Sequence, residues 1–284
     1  MPRLPSDPAA FERDVILADI ERFASITTKR AWGWEYIDPW QRRLLKCEDR
    51  YIWVNASRQS GKSSTLMVKT VHGAITNPNS LSLILAKQEQ ADEDMRKCKD
   101  IYNAYNDYLK ERYGGVLVLE LIEDNKHTME FAHRARIKAL AATERSRGYS
   151  APLRVTIDEA RDVPDEAFVA INPMLIVSQG QLILGSTPGG TSGFFSTERQ
   201  NPRYVRFVVP YTECPRISRD EIEIERQIYG DAYIKQEYSC EFLDEISAIF
   251  TEKALNESMD DTEEPMLGHM AHIQKMIKGE AELI

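Results

Sequence analysis

Three short stretches carry residue types able to do phosphate chemistry. The first is Ser57-Arg58-Gln59-Ser60-Gly61-Lys62-Ser63-Ser64, directly after the apolar run Tyr51 to Asn55. A glycine-lysine-serine between a strand and a helix offers backbone N–H groups and a positive helix end to phosphates. Lys62 would reach the terminal phosphates, and the Ser63 hydroxyl would hold Mg²⁺. The second stretch is "RVTIDEA", an apolar run ending in Asp158 and Glu159. There Asp158 suits the Mg²⁺ sphere and Glu159 suits polarising an attacking water. The third, "LILGSTPGG", ends in Ser186-Thr187-Pro188, where the Thr187 hydroxyl would sense a terminal phosphate. Each alone has a plain alternative, a solvated acidic turn or an ordinary Ser-Thr-Pro-Gly turn. Together they point to nucleotide hydrolysis.

These residues work only if strand ends bring them together. "SLSLILAK" (80 to 87), "LRVTIDEA" and "QLILGSTP" are short, continuously apolar runs, as expected for strands covered on both faces. "YVRFVVP" (204 to 210) reads as a further strand, and "TMEFAHRARIKALAA" (128 to 142) alternates in part, as a hairpin would. Helical spacing runs through residues 7 to 28, from about Gly61 onward, from about Glu89 to Arg112, and from Arg219 to Tyr238. Tyr102, Tyr105 and Tyr108 along the third of these read as a packing face. Asp38-Pro39 fits a helix start. Strands alternating with helices predict an α/β fold with a mainly parallel sheet flanked by helices. In such a sheet ligands collect where strands finish and helices begin.

The 284 residues, 42% hydrophobic, suffice for one sizeable core and a small appendage. A formal charge of −9 argues against unaided binding of nucleic acid, so any such contact must be local or shared among subunits. Cys47, Cys98, Cys214 and Cys240 are scattered without metal-ligand spacing and read as reduced structural thiols. No apolar stretch approaches the ~20 residues that span a bilayer, and the start lacks an apolar signal core. A soluble protein that stays inside a cell, without a membrane partner, is expected.

The three motifs in this order resemble the ATPase domain of the large terminase subunit, the DNA-packaging motor of tailed bacteriophages. The arginine inside "SRQSGKS", the Asp158-Glu159-Ala160 and the Ser186-Thr187-Pro188-Gly189 carry the resemblance, which spans about residues 35 to 250. "YIKQEYSCEFLDE" with "AIF" after it is similar to the segment that closes that domain. The resemblance implies a P-loop NTPase fold of the additional-strand catalytic-glutamate type, with ATP and Mg²⁺ as cofactors. It implies an N-terminal helical segment plus ATPase core over 1–210, a small helical lid over 211–250, and a linker or tail over 251–284. It also implies that Gln41 reads the adenine edge with Trp40 or Tyr36 nearby, and that Arg58 contacts phosphates within its own subunit. Arg147 in "ERSRGYSAPLR" looks like the finger that a neighbouring subunit inserts beside the γ-phosphate, with Arg145 the alternative. Ala56 stands where many such loops have glycine, which implies a slightly different loop start and not loss of binding.

The implied partners are double-stranded DNA, the portal protein and procapsid, the small terminase subunit, and further copies of the chain in a ring. The implied location is the cytoplasm of the host cell. Arg134, Arg136 and Lys138 are the candidates to touch DNA phosphates, although alternation in that strand explains them equally well as structural. The chain stops soon after "FLDEISAIFTEKALNESMDD", too early for the ribonuclease-H-type nuclease domain that follows in the family, so no DNA cleavage is expected of it. Asp260, Asp261, Glu263 and Glu264 read as a solvated acidic run. Two other readings share these motifs: another translocating, helicase-like ATPase, and a nucleotide-gated assembly module with no motor activity.

Overall fold

A computed structural model describes residues 8–114, 119–143 and 148–243. Arg145, Arg147 and the acidic run at 260–264 lie outside the described residues, as does everything beyond residue 243. Eight strands are β1 (Tyr51–Ala56), β2 (Leu81–Ala86), β3 (Leu121–Asp124), β4 (Thr128–Phe131), β5 (Arg136–Ala141), β6 (Arg154–Asp158), β7 (Gln181–Ser186) and β8 (Val205–Val209). They form one sheet in the order β3-β4-β5-β2-β6-β7-β1-β8. All pairings from β5 to β8 are parallel, and the β3–β4–β5 meander is antiparallel. Strand β7 lies between β1, which leads into the phosphate loop, and β6, which ends in the acidic pair. That is the additional strand the resemblance implies.

Among the described residues eight α-helices accompany the sheet: α1 (Pro8–Ala18), α2 (Ile20–Trp32), α3 (Pro39–Lys46), α4 (Lys62–Thr76), α5 (Gln88–Tyr113), α6 (Asp165–Ser178), α7 (Phe194–Glu198) and α8 (Arg219–Glu237). Side-chain alternation sends each central strand's residues into two cores. Ile52, Val54, Ile84 and Ala86 join Leu66, Val71, Met95 and Tyr105 under α2 to α5. Trp53, Leu83, Leu85, Val155 and Ile157 join Phe168, Leu175 and Phe195 under α6 and α7. The layers are therefore helix, sheet, helix, and the central strands β1, β2, β6 and β7 are buried on both faces while the edge strand β8 is largely exposed. Tyr105 is fully buried, with its ring 5.0 Å from that of Phe23, so it belongs to the packing face expected of it.

Two boundaries differ from the sequence expectation. The single helix expected over 7 to 28 is two, because Asp19 is extended and its side chain accepts hydrogen bonds from the backbone N–H groups of Glu21 and Arg22. That is an N-cap, which the continuing apolar spacing hides. Helix α8 is broken at Gly230, whose φ of 82° and ψ of 169° lie outside helical values. Ile222, Ile234 and Tyr238 give the region after β8 a small apolar cluster of its own. The chain after α8 is stitched back onto the sheet: Asn55 Nδ2 donates to Cys240 O at 2.8 Å, and Cys240 Sγ donates to Val209 O at 3.2 Å. No disulfide forms among the four cysteines. No helix among the described residues is long and apolar enough to cross a membrane.

Candidate active site

The ends of β1, β6 and β7 open on a cleft of about 400 Å³ lined by Ser57 to Ser64, Gln90, Lys97, Glu159, Arg161, Asp162 and Thr187. Gly61 caps α4 with a φ of 84°, and a Cβ there would meet Trp34 at 2.7 Å. Both its backbone angle and its neighbour therefore require glycine. The loop is pinned from outside: Ser57 N–H donates to Val209 O, and Arg58 N–H to Glu237 O at 2.8 Å. Ser60 Oγ is buried without a hydrogen-bond partner among the described residues, a free donor in a loop already suited to phosphate.

At the floor of the cleft Lys62 Nζ donates to Asp158 Oδ1 at 3.1 Å and to Glu159 Oε1 at 3.0 Å. Lys62 and Asp158 are buried, while Glu159 is partly open to the cleft. Burial alone would lower the Lys62 pKa, but the two carboxylates outweigh it and hold the ammonium above its ordinary value. Burial would likewise raise Asp158, yet the Lys62 charge and a hydrogen bond from Ser63 keep its carboxyl below the usual range. Glu159 adopts a left-handed backbone, φ 48° and ψ 49°, which is costly for a residue with a Cβ and common at functional sites. It turns the chain off the strand end so that consecutive carboxylates face one ammonium.

Behind this cluster α5 contributes residues that the motifs did not reveal. Gln90 Nε2 donates to Asp158 Oδ2 at 3.2 Å and to Asp94 Oδ1 at 3.0 Å, and Lys97 Nζ also reaches Asp94 Oδ1. Burial, then the neighbouring Asp158 charge, push Asp94 well above the ordinary carboxylate range, with Lys97 opposing only in part. Gln90, Asp94 and Lys97 recur at helical spacing on the first three turns of α5, and that spacing was the available signal.

The other wall joins three motifs through one side chain. Glu237, at the end of α8, accepts from Arg161 Nη1 at 2.7 Å and from Thr187 Oγ1 at 3.4 Å, with Arg58 Nε 3.8 Å away. Arg161 also donates to Pro188 O, and Arg58 Nη1 to the Tyr233 hydroxyl. Glu237 lies within the segment "YIKQEYSCEFLDE", but it stands among many acids there and nothing in the sequence singles it out.

Of the residues expected in the site, Ser57, Arg58, Gln59, Ser60, Gly61, Lys62, Ser63, Ser64, Glu159 and Thr187 line one cleft, and Asp158 lies on its floor. Gln41 approaches the loop from behind: its Oε1 accepts from Asp38 N–H at 2.9 Å as part of a capping box, and its Nε2 points to Ser60 O. Trp40 is buried in the core, and Tyr36 is exposed. Trp34 and Arg216, which the sequence did not flag, sit beside Gln41. Arg216 stacks 4.0 Å from the Trp34 ring and donates to Asp38 Oδ2 and Ser60 O. Arg134 and Arg136 lie at the β4–β5 hairpin, distant from the cleft in strand order, and Arg134 pairs with Glu130.

The donor set fits a nucleotide with Mg²⁺. A hydroxyl and an ionised carboxylate already hydrogen-bonded to each other are hard oxygen ligands, and Mg²⁺ takes few protein ligands beside phosphate and water.

Comparisons with known proteins bear on the fold and the family. The large terminase ATPase domain of Thermus phage P74-26 superposes with a TM-score of 0.61 at 20% identity, covering 76% of this chain and 97% of that one. The large terminase of bacteriophage HK97 gives 0.55 at 16% identity, over 90% of this chain and 53% of that one. A large terminase from a thermophilic bacteriophage, solved with ADP, gives 0.57 at 12% identity, over 73% and 54%. The chain thus spans about half the length of the latter two proteins. At these identities the likeness establishes the fold, that of a P-loop NTPase. No curated protein matches the chain in a sequence search. The sequence model of the terminase large subunit, T4likevirus-type, N-terminal, matches residues 54–257, and the chain belongs to that family.

Proposed function

We propose that this chain is the ATP-hydrolysing motor domain of a viral large terminase, driving double-stranded DNA into a procapsid. The observation that carries the reading is the meeting of Lys62, Asp158 and Glu159, from separate strand ends, in one cleft beside a phosphate-type loop. The loop N–H groups, Ser60 and Arg58 receive the phosphates. Ser63 and Asp158 would hold Mg²⁺, which would supply charge neutralisation of the phosphates there. Lys62 is engaged by both carboxylates, and a triphosphate competes for it. Once Lys62 turns to the phosphates, Glu159 Oε1 loses its ammonium partner and is free to accept a proton from an attacking water. Base activation is thereby tied to the presence of substrate.

Arg147 of a neighbouring copy, or Arg145, completes the site in a ring, and stabilising transition-state charge in this way is worth about 10³ to 10⁵ in rate. Gln41 reads the adenine edge from its place behind the loop. Loss of the γ-phosphate is felt at Thr187 and Arg58, both joined to Glu237, so the helical region from 211 onward moves with it. Portal, procapsid and small subunit are the partners of such a motor.

The test is phosphate release by the purified chain. Glu159→Gln should lower kcat by about 10² to 10⁴ while leaving nucleotide affinity within about threefold. Arg147→Ala should abolish the concentration-dependent part of the rate with binding intact. Wild-type protein that neither binds nor hydrolyses ATP at any concentration would overturn the reading.

A further inference from the structure

At the opposite end of β1 and β8 from the cleft lies a cluster of arginines that the nucleotide chemistry does not use. The stretch 199–206, from the end of α7 into β8, carries three arginines and no acid, in a chain whose formal charge is −9. Arg203 and Arg206 are exposed, and Arg50 and Arg199 are half-buried. The Arg203 and Arg50 guanidiniums lie 4.4 and 5.0 Å from the centroid of one ring, that of Tyr51. Arg199 lies 4.7 Å from the Phe242 ring centroid, and Arg206 donates to the carbonyls of Arg199 and Asn201. Among the described residues no ion pair joins any of the four to a carboxylate; Glu198 accepts from Asn201 instead, while Asp49 and Glu241 stand next in sequence to Arg50 and Phe242. Elsewhere surface cations commonly pair, as Arg30 does with Glu111 and Lys99 with Asp124.

Guanidiniums over aromatic rings and without a carboxylate partner are ready forks for phosphate oxygens, while Arg50 is held in place by Gln179 Oε1 and Leu175 O. We infer that Arg199, Arg203 and Arg206, braced by Arg50 and Tyr51, form a contact surface for the phosphate backbone of double-stranded DNA. The inference rests on the motor reading and adds the place where the duplex is held. Strand β8 links the two ends directly, since Ile52 faces Val205 beside the patch and Val209 O holds the phosphate loop at Ser57. Five residues of strand, about 17 Å, separate them, so DNA and nucleotide do not compete for space.

The experiment measures binding of the full chain to a fluorescent 30-base-pair duplex by anisotropy, from about 50 to 200 mM salt. Each phosphate contact contributes about 0.9 to the slope of log affinity against log salt. The triple variant Arg199→Gln, Arg203→Gln, Arg206→Gln should flatten that slope by about 2 to 3 units and weaken binding about tenfold or more at 50 mM. Because Arg206 also braces its turn, the double variant Arg199→Gln, Arg203→Gln keeps the test valid if the triple is unstable, with about two thirds of the change in slope. Neutralising Arg134, Arg136 and Lys138 instead should change the slope by less. Basal phosphate release, measured in parallel, should stay within about twofold for the patch variants. Charges on an edge strand also block sheet-to-sheet association, a role that would leave duplex affinity unchanged. An unchanged slope, no binding by the wild-type chain, or binding of polyglutamate but not duplex each overturns the inference. If phosphate release persists with an unchanged slope, the motor reading stands with its DNA contact elsewhere; if it persists with no duplex binding, only the ATP-hydrolysing part of that reading stands.

Discussion

Glu237 offers the sharpest test of how the lid is tied to the cleft. Replacing it by alanine removes a buried, charge-assisted hydrogen bond from Arg161 at 2.7 Å, a longer one from Thr187 at 3.4 Å, and an ion pair with half-exposed Arg58 at 3.8 Å. The first is worth about 1.5–3 kcal/mol, while the long hydrogen bond and the exposed pair together add roughly 0.5 kcal/mol. Arg161 keeps Pro188 O as an acceptor, so the net cost is about 2–3 kcal/mol. For a domain of this size the thermal midpoint should fall by roughly 5–10 °C. Glu237→Gln, which keeps the shape and one acceptor, should lose about half of that. The assay is thermal unfolding without nucleotide of Glu237→Ala, Arg161→Ala and the double variant. Side chains in direct contact should show a coupling of about 1–3 kcal/mol. If the two single effects add to within about 0.5 kcal/mol, Glu237 does not hold the lid to the cleft, and the proposed route from Thr187 to α8 fails with it.

Other outcomes follow from groups away from the cleft. Lys69 is fully buried and donates to Leu45 O at 2.7 Å, and burial followed by the Arg154 charge lowers its pKa to about 8. The unfolded chain holds that proton up to about 10.4, so between the two values it binds more protons than the folded one and stability rises with pH. The gain is about 3 kcal/mol from Lys69, and Lys69→Met should remove it from denaturation curves taken between pH 7.5 and 10. Thiols ionising only when unfolded pull the other way in both proteins, so the difference between them carries the result. Gly73 in α4 leaves room for Arg154, whose Nη1 would lie 2.6 Å from a new Cβ. Arg154 is fixed by Gln181 and by the Lys69 carbonyl, so Gly73→Ala should cost about 1–3 kcal/mol in urea unfolding despite its better helix propensity. A stabilised Gly73→Ala would show that the guanidinium yields.

What the sequence disclosed and what it hid have separate physical causes. Residues at the ends of β1, β6 and β7 were legible because parallel strands buried on both faces read as apolar runs. The polar residues that end such runs must then lie at one sheet edge. Strand β3 was not legible: it is short and mostly exposed, with neither alternation nor a continuous apolar run. Asp38-Pro39 marked a helix start, whereas the capping-box role of Gln41 came only with the structure, although an acid three residues before Gln is a common pattern for it. Glu237 and Arg161 act through partners distant in sequence, and no local spacing marks one acid of α8 above another. Charge balance hid the arginine patch, since an acidic total says nothing about where unpaired cations gather.

The break at Gly230 divides α8 unequally. A Cβ there would touch nothing within 4 Å, so the need for glycine is torsional alone. The short inner piece, ending at Glu237, is fastened to the phosphate loop and to the end of β7. The longer outer piece lies back against it: Ile222 packs with Ile234 and Tyr238, and Arg226 pairs with Asp231 across the break. The bend is therefore closed by side chains and acts as a bracket. A load on the outer piece reaches the cleft by two routes, along the backbone and through the apolar contact, and Gly230 alone does not free one piece from the other.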